Sequence, residues 1–298
     1  MKKPTLICVV GPTAIGKTSL AISLANHFST DILSADSRQF YKEMSIGTAA
    51  PSSQELEAAK HHFIQHKSIT ETYTVGAFEK DALLKLDKLY SKKDYAILVG
   101  GSGLYIDAVT KGLDTFPKIA PNIREKLNIA FKEKGIKFLQ SELKEVDPTY
   151  YNKVDTQNPH RLIRALEVYK SSGEPYSSFL NQPKPERPFQ TIYIGLTADR
   201  ENVYDRINKR VDTMIANGLL KEVESLAPYK NHNALQTVGY RELFPFFDGK
   251  ISLDEAISEI KKNTRRFAKR QYTWFNKNSE IKWFDYRTPV LEIIDAIV

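Results

Sequence analysis

The chain has 298 residues, with 43 Lys+Arg against 36 Asp+Glu and a net charge of +7. With 41% hydrophobic and 27% charged residues, this is the balance of a globular protein, not of a disordered or fibrous one. A single cysteine, Cys8, excludes an internal disulfide framework and a cysteine-based zinc module.

Elements follow in chain order. Cys8 sits in the apolar run Leu6-Ile7-Cys8-Val9-Val10, so it reads as a small buried hydrophobe on a strand. That run is too short for the core of a signal peptide. No stretch approaches the ~20 apolar residues of a membrane span, so we expect a cytoplasmic protein. A helix follows with Leu20, Leu24 and Phe28 on one face. Ile32-Leu33 is a second strand, Ala77–Tyr90 a helix, and Ala96–Val99 a third strand closed by Gly100-Gly101. Short apolar strands alternating with helices predict a parallel sheet covered on both faces. Between Pro117 and Pro188 lie eight of the 14 prolines. Asn122–Lys134, Ile136–Lys144 and Pro159–Ser171 read as helices there, with no strand. A fourth strand, Thr191–Leu196, resumes the α/β pattern. The predicted fold is α/β: a P-loop NTPase-like parallel sheet flanked by helices (1–115 and 190–298), with a helical insertion domain at 116–189. A helix from about Arg200 carries Val203, Ile207, Val211 and Met214 on one face. A long helix from about Ser252 carries Leu253, Ile257, Ile260, Thr264, Phe267 and Trp274.

Gly11-Pro12-Thr13-Ala14-Ile15-Gly16-Lys17-Thr18 fits G-x-x-x-x-G-K-[ST] between a strand and a helix, the context the motif needs. Glycines let the backbone curl so that its N–H groups point inward, and the helix start adds its positive end. Lys17 contributes a full charge, and the Thr18 hydroxyl suits Mg²⁺. The motif predicts a diphosphate or triphosphate ligand. Most such loops bind nucleotides, ATP in particular.

Asp36 ends the second strand, where open parallel sheets place their ligand crevice. It fits a metal-linked carboxylate or a general base, with a helix cap as the alternative. Ser102 offers a hydroxyl beside glycines that allow close approach of a ligand. No acidic residue closes the third strand, which departs from motor-type ATPases. Arg206 and Arg210 lie four apart on one helix face, suited to gripping phosphate or to pairing with Asp199, Asp205 or Asp212. Lys261, Lys262, Arg265, Arg266, Lys269 and Arg270 form two adjacent rows on the last long helix. They fit either a nucleic-acid phosphate track or a solvated face. Arg161 and Arg164 add a basic stripe in the insertion. His61, His62 and His66 have a metal-like spacing but read as structural.

Taken together these segments resemble one family, the tRNA dimethylallyltransferases, also called tRNA isopentenyltransferases. The resemblance rests on Gly11–Thr18, Ser34–Tyr41, Ile46–Ala49, Gly100–Tyr105, Asn158–Glu167, Arg206–Asp212, Val238–Leu243 and Lys269–Phe275, in that order along nearly the whole chain. It implies a prenyltransferase that moves a dimethylallyl group from dimethylallyl diphosphate to N6 of the adenosine 3′-adjacent to the anticodon of tRNA. On that resemblance Asp36 is the base and Lys17, Thr18 with Mg²⁺, and Arg206 or Arg210 stabilise the leaving diphosphate. Ser102 lines the channel, and Asp36, Ser37, Arg38 and Gln39 hold the extruded adenosine. Arg124, Asn158, His160, Arg161, Lys269, Arg270 and Gln271 contact the tRNA anticodon stem-loop. Two positions depart from the pattern: Ser102 stands where threonine is common, and Ala50 where lysine is common. No zinc-finger extension is present, which favours a compact bacterial-type form, and we expect a monomer. The alternatives are a P-loop small-molecule or nucleoside kinase using ATP, which leaves the basic helix unexplained, and a GTP-switch RNA-binding module. The latter lacks an Asn-Lys-x-Asp guanine motif.

Overall fold

The computed structural model describes residues 3–297. They divide into two compact units: one runs to Lys111 and resumes at Glu186, and the other is Gly112–Pro185.

The first unit is built on six strands, β1 (Thr5–Val10), β2 (Ile32–Ser34), β3 (His61–His62), β4 (Tyr95–Val99), β5 (Gln190–Thr197) and β6 (Ile281–Asp285). They form one sheet in the order β3-β2-β4-β1-β5-β6, and every pairing is parallel. All six residues of β1 are buried because it lies inside the sheet with helices on both faces. Cys8 pairs with Leu98 on one side and Tyr193 on the other. Complete burial pushes its thiol well above the ordinary range, so it behaves as the small hydrophobe expected.

The helices in chain order are α1 (Lys17–His27), α2 (Ser53–Ala58), α3 (Val75–Tyr90) and α4 (Gly103–Lys111), then α5 (Pro121–Lys134), α6 (Ile136–Val146), α7 (Pro148–Tyr151) and α8 (Pro159–Ser172) in the second unit. The first unit resumes with α9 (Arg200–Ala216), α10 (Leu219–Ser225), α11 (Phe244–Phe247), α12 (Leu253–Phe275) and α13 (Val290–Asp295). From β1 the chain steps over the β4 position to β2 and β3, returns to β4, and later extends the opposite edge with β5 and β6. The direction of winding therefore changes beside β1, and the carboxyl ends of β1, β2 and β4 share one edge where a ligand crevice opens.

Four strands were legible from apolar runs; β3 and β6 were not. β3 is two residues long and pairs with β2 through Ile32↔His61 and Leu33↔His62. β6 is an edge strand of mixed polarity with only Ile281 buried, so it carries no apolar run. The histidines are committed locally. A His61 ring nitrogen lies 2.8 Å from Ala59 O and one of His62 lies 2.8 Å from Asp31 Oδ2. Burial pushes Asp31 up, but hydrogen bonds from Lys93 and His62 outweigh it and hold this carboxyl below its ordinary value. His66 packs edge-on against Phe40, Phe63 and Tyr73.

In the second unit, α5, α6 and α8 close over Leu127, Leu139, Leu143, Leu162, Ile163 and Leu166. The α8 start is fixed as its sequence demands: Asn158 Oδ1 accepts from Arg161 N at 3.3 Å, and Pro159 takes the first helical position, where a missing N–H costs nothing. Asp147, 1% exposed, accepts from Tyr150 N, Ser177 N and Ser177 Oγ at 2.7–2.9 Å. Its buried charge is thereby satisfied, which ties the segment after α8 to α7. The bounds 112 and 185 stand beside the 116–189 read from the prolines.

Candidate active site

The loop between β1 and α1 is shaped for an anion. Gly11 has φ +139°, and a Cβ there would lie 2.6 Å from Leu196 O; only glycine satisfies both constraints. Gly16 has φ +112° and is the N-cap of α1, with no side-chain cap and no acidic residue in the first turn. The first N–H groups of α1 are therefore left to a ligand, and its dipole favours negative charge there. Lys17 Nζ donates to Pro12 O at 2.7 Å. Burial moves this ammonium from 10.5 down to about 8; Asp36 opposes the shift and Arg210 adds to it.

Two guanidiniums close over the same loop from α9. Arg206 Nε donates to Ala14 O at 2.7 Å and Arg210 NH1 to Thr13 Oγ1 at 3.3 Å. Two of the three aspartates that offered an alternative are otherwise engaged: Asp205 pairs with Lys209 at 2.8 Å and Asp212 with Lys261 at 2.6 Å. Among the described residues neither arginine forms an ion pair, and burial draws Arg210 below its ordinary value. Lys17, Arg206 and Arg210 thus concentrate positive charge around a chamber of about 470 Å³ lined by residues 13–19, Asp36, Gln39 and Glu55. A dianion entering it relieves their mutual repulsion.

Asp36 leaves β2 in a tight turn. Its Oδ1 accepts from Arg38 N and its carbonyl from Gln39 N, both at 3.1 Å. It caps a turn and not an α-helix, and its carboxylate lines the chamber at the same time. Ser102 Oγ accepts from Ser37 N at 3.2 Å and lies 3.2 Å from Ser37 Oγ, which joins the ends of β2 and β4. Arg38 and Gln39 brace neighbouring loops: Arg38 NH1 donates to Asn233 O and Ala234 O, and Gln39 Nε2 to Thr48 O and Ala49 O.

A second cavity, about 430 Å³, adjoins the chamber. Asp36, Ser37 and Ser102 form its polar edge, and Ile207, Val211, Met214, Ile260 and Phe267 an apolar wall. Thr13, Asp36, Thr48, Arg210, Phe267 and Gln271 line both spaces. An anionic head and an apolar tail can therefore lie across one boundary with a carboxylate beside it.

Residues quoted only as motifs prove to shape this cavity. Glu222 accepts from Ser45 N, Ile46 N and Gly47 N at 2.8–3.0 Å and from Tyr240 OH at 2.6 Å. It fixes the loop whose carbonyls hold Gln39. Gly47 lies so close to Tyr240 that a Cβ would come within 2.5 Å of the ring. The segments Ile46–Ala49 and Val238–Leu243 carried the signal; their mutual contact did not show in either alone.

α12 begins at a capping box formed by Ser252 and Glu255. Its buried stripe is Ala256, Ile260, Ala268, Gln271 and Phe275. Phe267 and Trp274, named with the apolar residues of this helix, are 37% and 41% exposed and line the second cavity. Small Ala268 and polar Gln271 face inward, a choice that hydrophobic periodicity does not register. The six cations are not equivalent either. Lys261 pairs with Asp212, Lys262 with Glu259, and Arg265 donates to Asn208 Oδ1 at 2.8 Å. Arg266, Lys269 and Arg270 are exposed and form no ion pair among the described residues. Arg270 and Arg241 both stand at the cavity; burial and the neighbouring charges of Arg241 and Arg266 pull Arg270 below its ordinary value. Gln271 turns inward: its Oε1 accepts from Thr13 N at 2.8 Å and its Nε2 donates to Gly101 O at 2.9 Å.

In the second unit, His160 and Arg161 are exposed on the first turn of α8. Arg124 Nε and Arg164 NH1 reach the buried Glu167 at 3.9 and 3.2 Å.

Comparison with known proteins matches this arrangement to one family. The sequence model described as IPP transferase matches residues 39–278. A protein of Christiangramia forsetii named tRNA dimethylallyltransferase is 63% identical over 98% of this chain and 97% of its own length. One from Flavobacterium johnsoniae with the same name is 59% identical over 98% and 97%. The crystal structure of the full-length tRNA isopentenylpyrophosphate transferase from Bacillus halodurans superposes with TM-score 0.73 at 34% identity, covering 99% of this chain and 95% of that one. A eukaryotic dimethylallyltransferase described as acting on tRNA gives TM-score 0.81 at 26% identity over 99% and 76%. The anion loop, the Asp36 turn and the flanking arginines are thus those of a chain that belongs to the IPP transferase family, with its P-loop NTPase-like α/β fold.

Proposed function

We propose that this protein transfers the dimethylallyl group of dimethylallyl diphosphate to N6 of the adenosine 3′-adjacent to the anticodon of tRNA, giving N6-(dimethylallyl)adenosine. The observation that carries the reading is the shared boundary of the two cavities at Asp36, Arg210 and Gln271. The cationic chamber takes the diphosphate, and the apolar wall takes the prenyl chain. The extruded adenine enters beside Ser37 and Ser102. Family membership favours this over an ATP-dependent kinase.

The adenine N6 lone pair is delocalised into the ring, so it is a weak nucleophile. The new N–C bond forms at the allylic carbon as the C–O bond breaks, and the electron pair leaves with the diphosphate. Asp36 takes the N6 proton. Lys17, Arg206, Arg210 and the N–H groups at the start of α1 stabilise the departing charge; donors already aimed at that point need no reorganisation during the reaction. The oxygen donors of the chamber fit Mg²⁺: Thr18 lines it, and its hydroxyl has no hydrogen bond to protein among the described residues. When bound, the ion adds countercharge to the leaving diphosphate. Extrusion from an anticodon loop breaks less stacking than from a duplex. Arg266, Lys269 and Arg270 steer RNA phosphates to the mouth, and Arg124, Asn158, His160 and Arg161 add contacts from the helical unit. The protein acts as a monomer in the cytoplasm; no helix among the described residues is long and apolar enough to cross a membrane.

The test uses unmodified tRNA and Mg²⁺ with either labelled dimethylallyl diphosphate or γ-labelled ATP. Prenyl label entering tRNA is the expected result. ATP-dependent labelling of a small acceptor, without prenyl transfer, would overturn the reading.

A further inference from the structure

Gln271 is one of the few buried polar side chains of the first unit, 6% exposed. It lies on the last turns of α12, directly after the exposed Lys269 and Arg270. Its amide is used at both ends. Oε1 accepts from Thr13 N inside the anion loop at 2.8 Å, and Nε2 donates to Gly101 O after β4 at 2.9 Å. The fit around it is close: a side chain at Gly101 would run into Gln271 Nε2, and the next atom it would meet beyond Gln271 is Lys17 Nζ. The amide keeps a second N–H and a second lone pair, but at 6% exposure little of it is open to RNA. A buried amide left without partners costs about 1–3 kcal/mol, so the two backbone bonds hold the side chain where it is.

We propose that Gln271 is a positioning residue for the diphosphate and not an RNA contact. Its amide holds the Thr13 end of the anion loop at a fixed distance from the Gly101 turn, and so sets the direction of the N–H groups that receive the diphosphate. Thr13 is also the residue whose hydroxyl accepts from Arg210. Loss of the bridge therefore loosens both the backbone cradle and one of the two guanidiniums above it. The arrangement also connects the helix bearing the exposed cations to the anion loop through one side chain. This inference rests on the proposed diphosphate-dependent transfer, but its core concerns anion binding and can be read without that reaction.

The test compares the full chain with Gln271→Met, which keeps length and loses both bonds, and Gln271→Glu, which keeps the acceptor for Thr13 N and turns the Gly101 contact into repulsion between two acceptors. Inorganic pyrophosphate with Mg²⁺ and a synthetic anticodon stem-loop are titrated separately, and dimethylallyl transfer is followed as KM and kcat. Thermal unfolding identifies the variants that fold, and the glutamate variant carries the test if the methionine variant does not. The expected result is a pyrophosphate Kd raised tenfold or more, a raised KM for the prenyl donor, and a stem-loop Kd within twofold of the parent. Weakened stem-loop binding, alone or together with pyrophosphate, would overturn the proposal, as would an unchanged pyrophosphate Kd. A parent chain that binds pyrophosphate but transfers no dimethylallyl group would sink the proposed reaction while leaving the Gln271 comparison intact.

Discussion

Replacing Lys17 by methionine removes a poorly solvated charge while keeping the reach of the side chain, and its consequences follow from the site. Burial lowers the Lys17 ammonium from 10.5 to about 8. At about 1.4 kcal/mol per pKa unit, keeping it charged in the fold costs about 3 kcal/mol at pH 7. Lys17 is partly exposed, and screening by water at the open loop brings that cost to roughly 2 kcal/mol. The variant loses the Nζ bond to Pro12 O, worth about 1 kcal/mol. The ligand-free variant should therefore gain about 1 kcal/mol at pH 7, or roughly 2 °C in Tm for a chain of this length. The sign depends on pH. Because the folded pKa lies below the unfolded one, the unfolded chain binds more protons between about pH 8 and 10.5, and parent stability rises with pH across that window. The advantage of the variant should shrink there and reverse once the lysine is neutral in both states. Pyrophosphate at about 100 times its Kd should stabilise the parent by about 2.7 kcal/mol; the variant should show little of that shift at the same concentration. Thermal unfolding at pH 7 and pH 10, with and without pyrophosphate, reads all three effects. A variant that is less stable than the parent at pH 7 without ligand, or that keeps the parent's pyrophosphate shift, would refute the account of Lys17 as a strained anion receptor.

Other outcomes follow from the same geometry. Asp36→Asn should lower kcat for prenyl transfer by about 10²–10⁴ while stem-loop affinity stays near the parent value; near-normal turnover would remove Asp36 as the base. Neutralising Arg266, Lys269 and Arg270 together should reduce the slope of log Kd against log salt by about 2, whereas neutralising Lys261 and Lys262, which already have acidic partners, should change it little. Equal slopes in the two sets would contradict the division of α12 into paired and free cations. Glu222→Ala strips the acceptor from three backbone N–H groups and Tyr240 OH and should cost on the order of 3 kcal/mol in denaturant unfolding. A loss under about 0.5 kcal/mol, the range of an ordinary surface change, would show that the 45–47 loop does not depend on it.

The sequence by itself determined the anion loop, four of the six strands, the helical character of residues 121–172 and the family. These are local matters. A left-handed glycine at a strand-to-helix turn, a run of apolar residues for a strand buried on both faces, and an asparagine cap before proline are each read within a few neighbours. The tertiary structure decided what depends on distant partners. β6 is an edge strand of mixed polarity, kept in the sheet by pairing with β5. Lys261 sits in a row of cations, yet the acid that neutralises it, Asp212, comes from α9. Arg206 and Arg210 had aspartates near them in sequence, but in the fold Asp205 and Asp212 pair with lysines and the guanidiniums turn to the anion loop. Gln271 stands in a basic segment, and only the packing of α12 carries its amide between Thr13 and Gly101. Burial of a polar group is settled by the hydrogen bonds available where it lands, and those partners lie far along the chain: 258 residues separate Gln271 from Thr13.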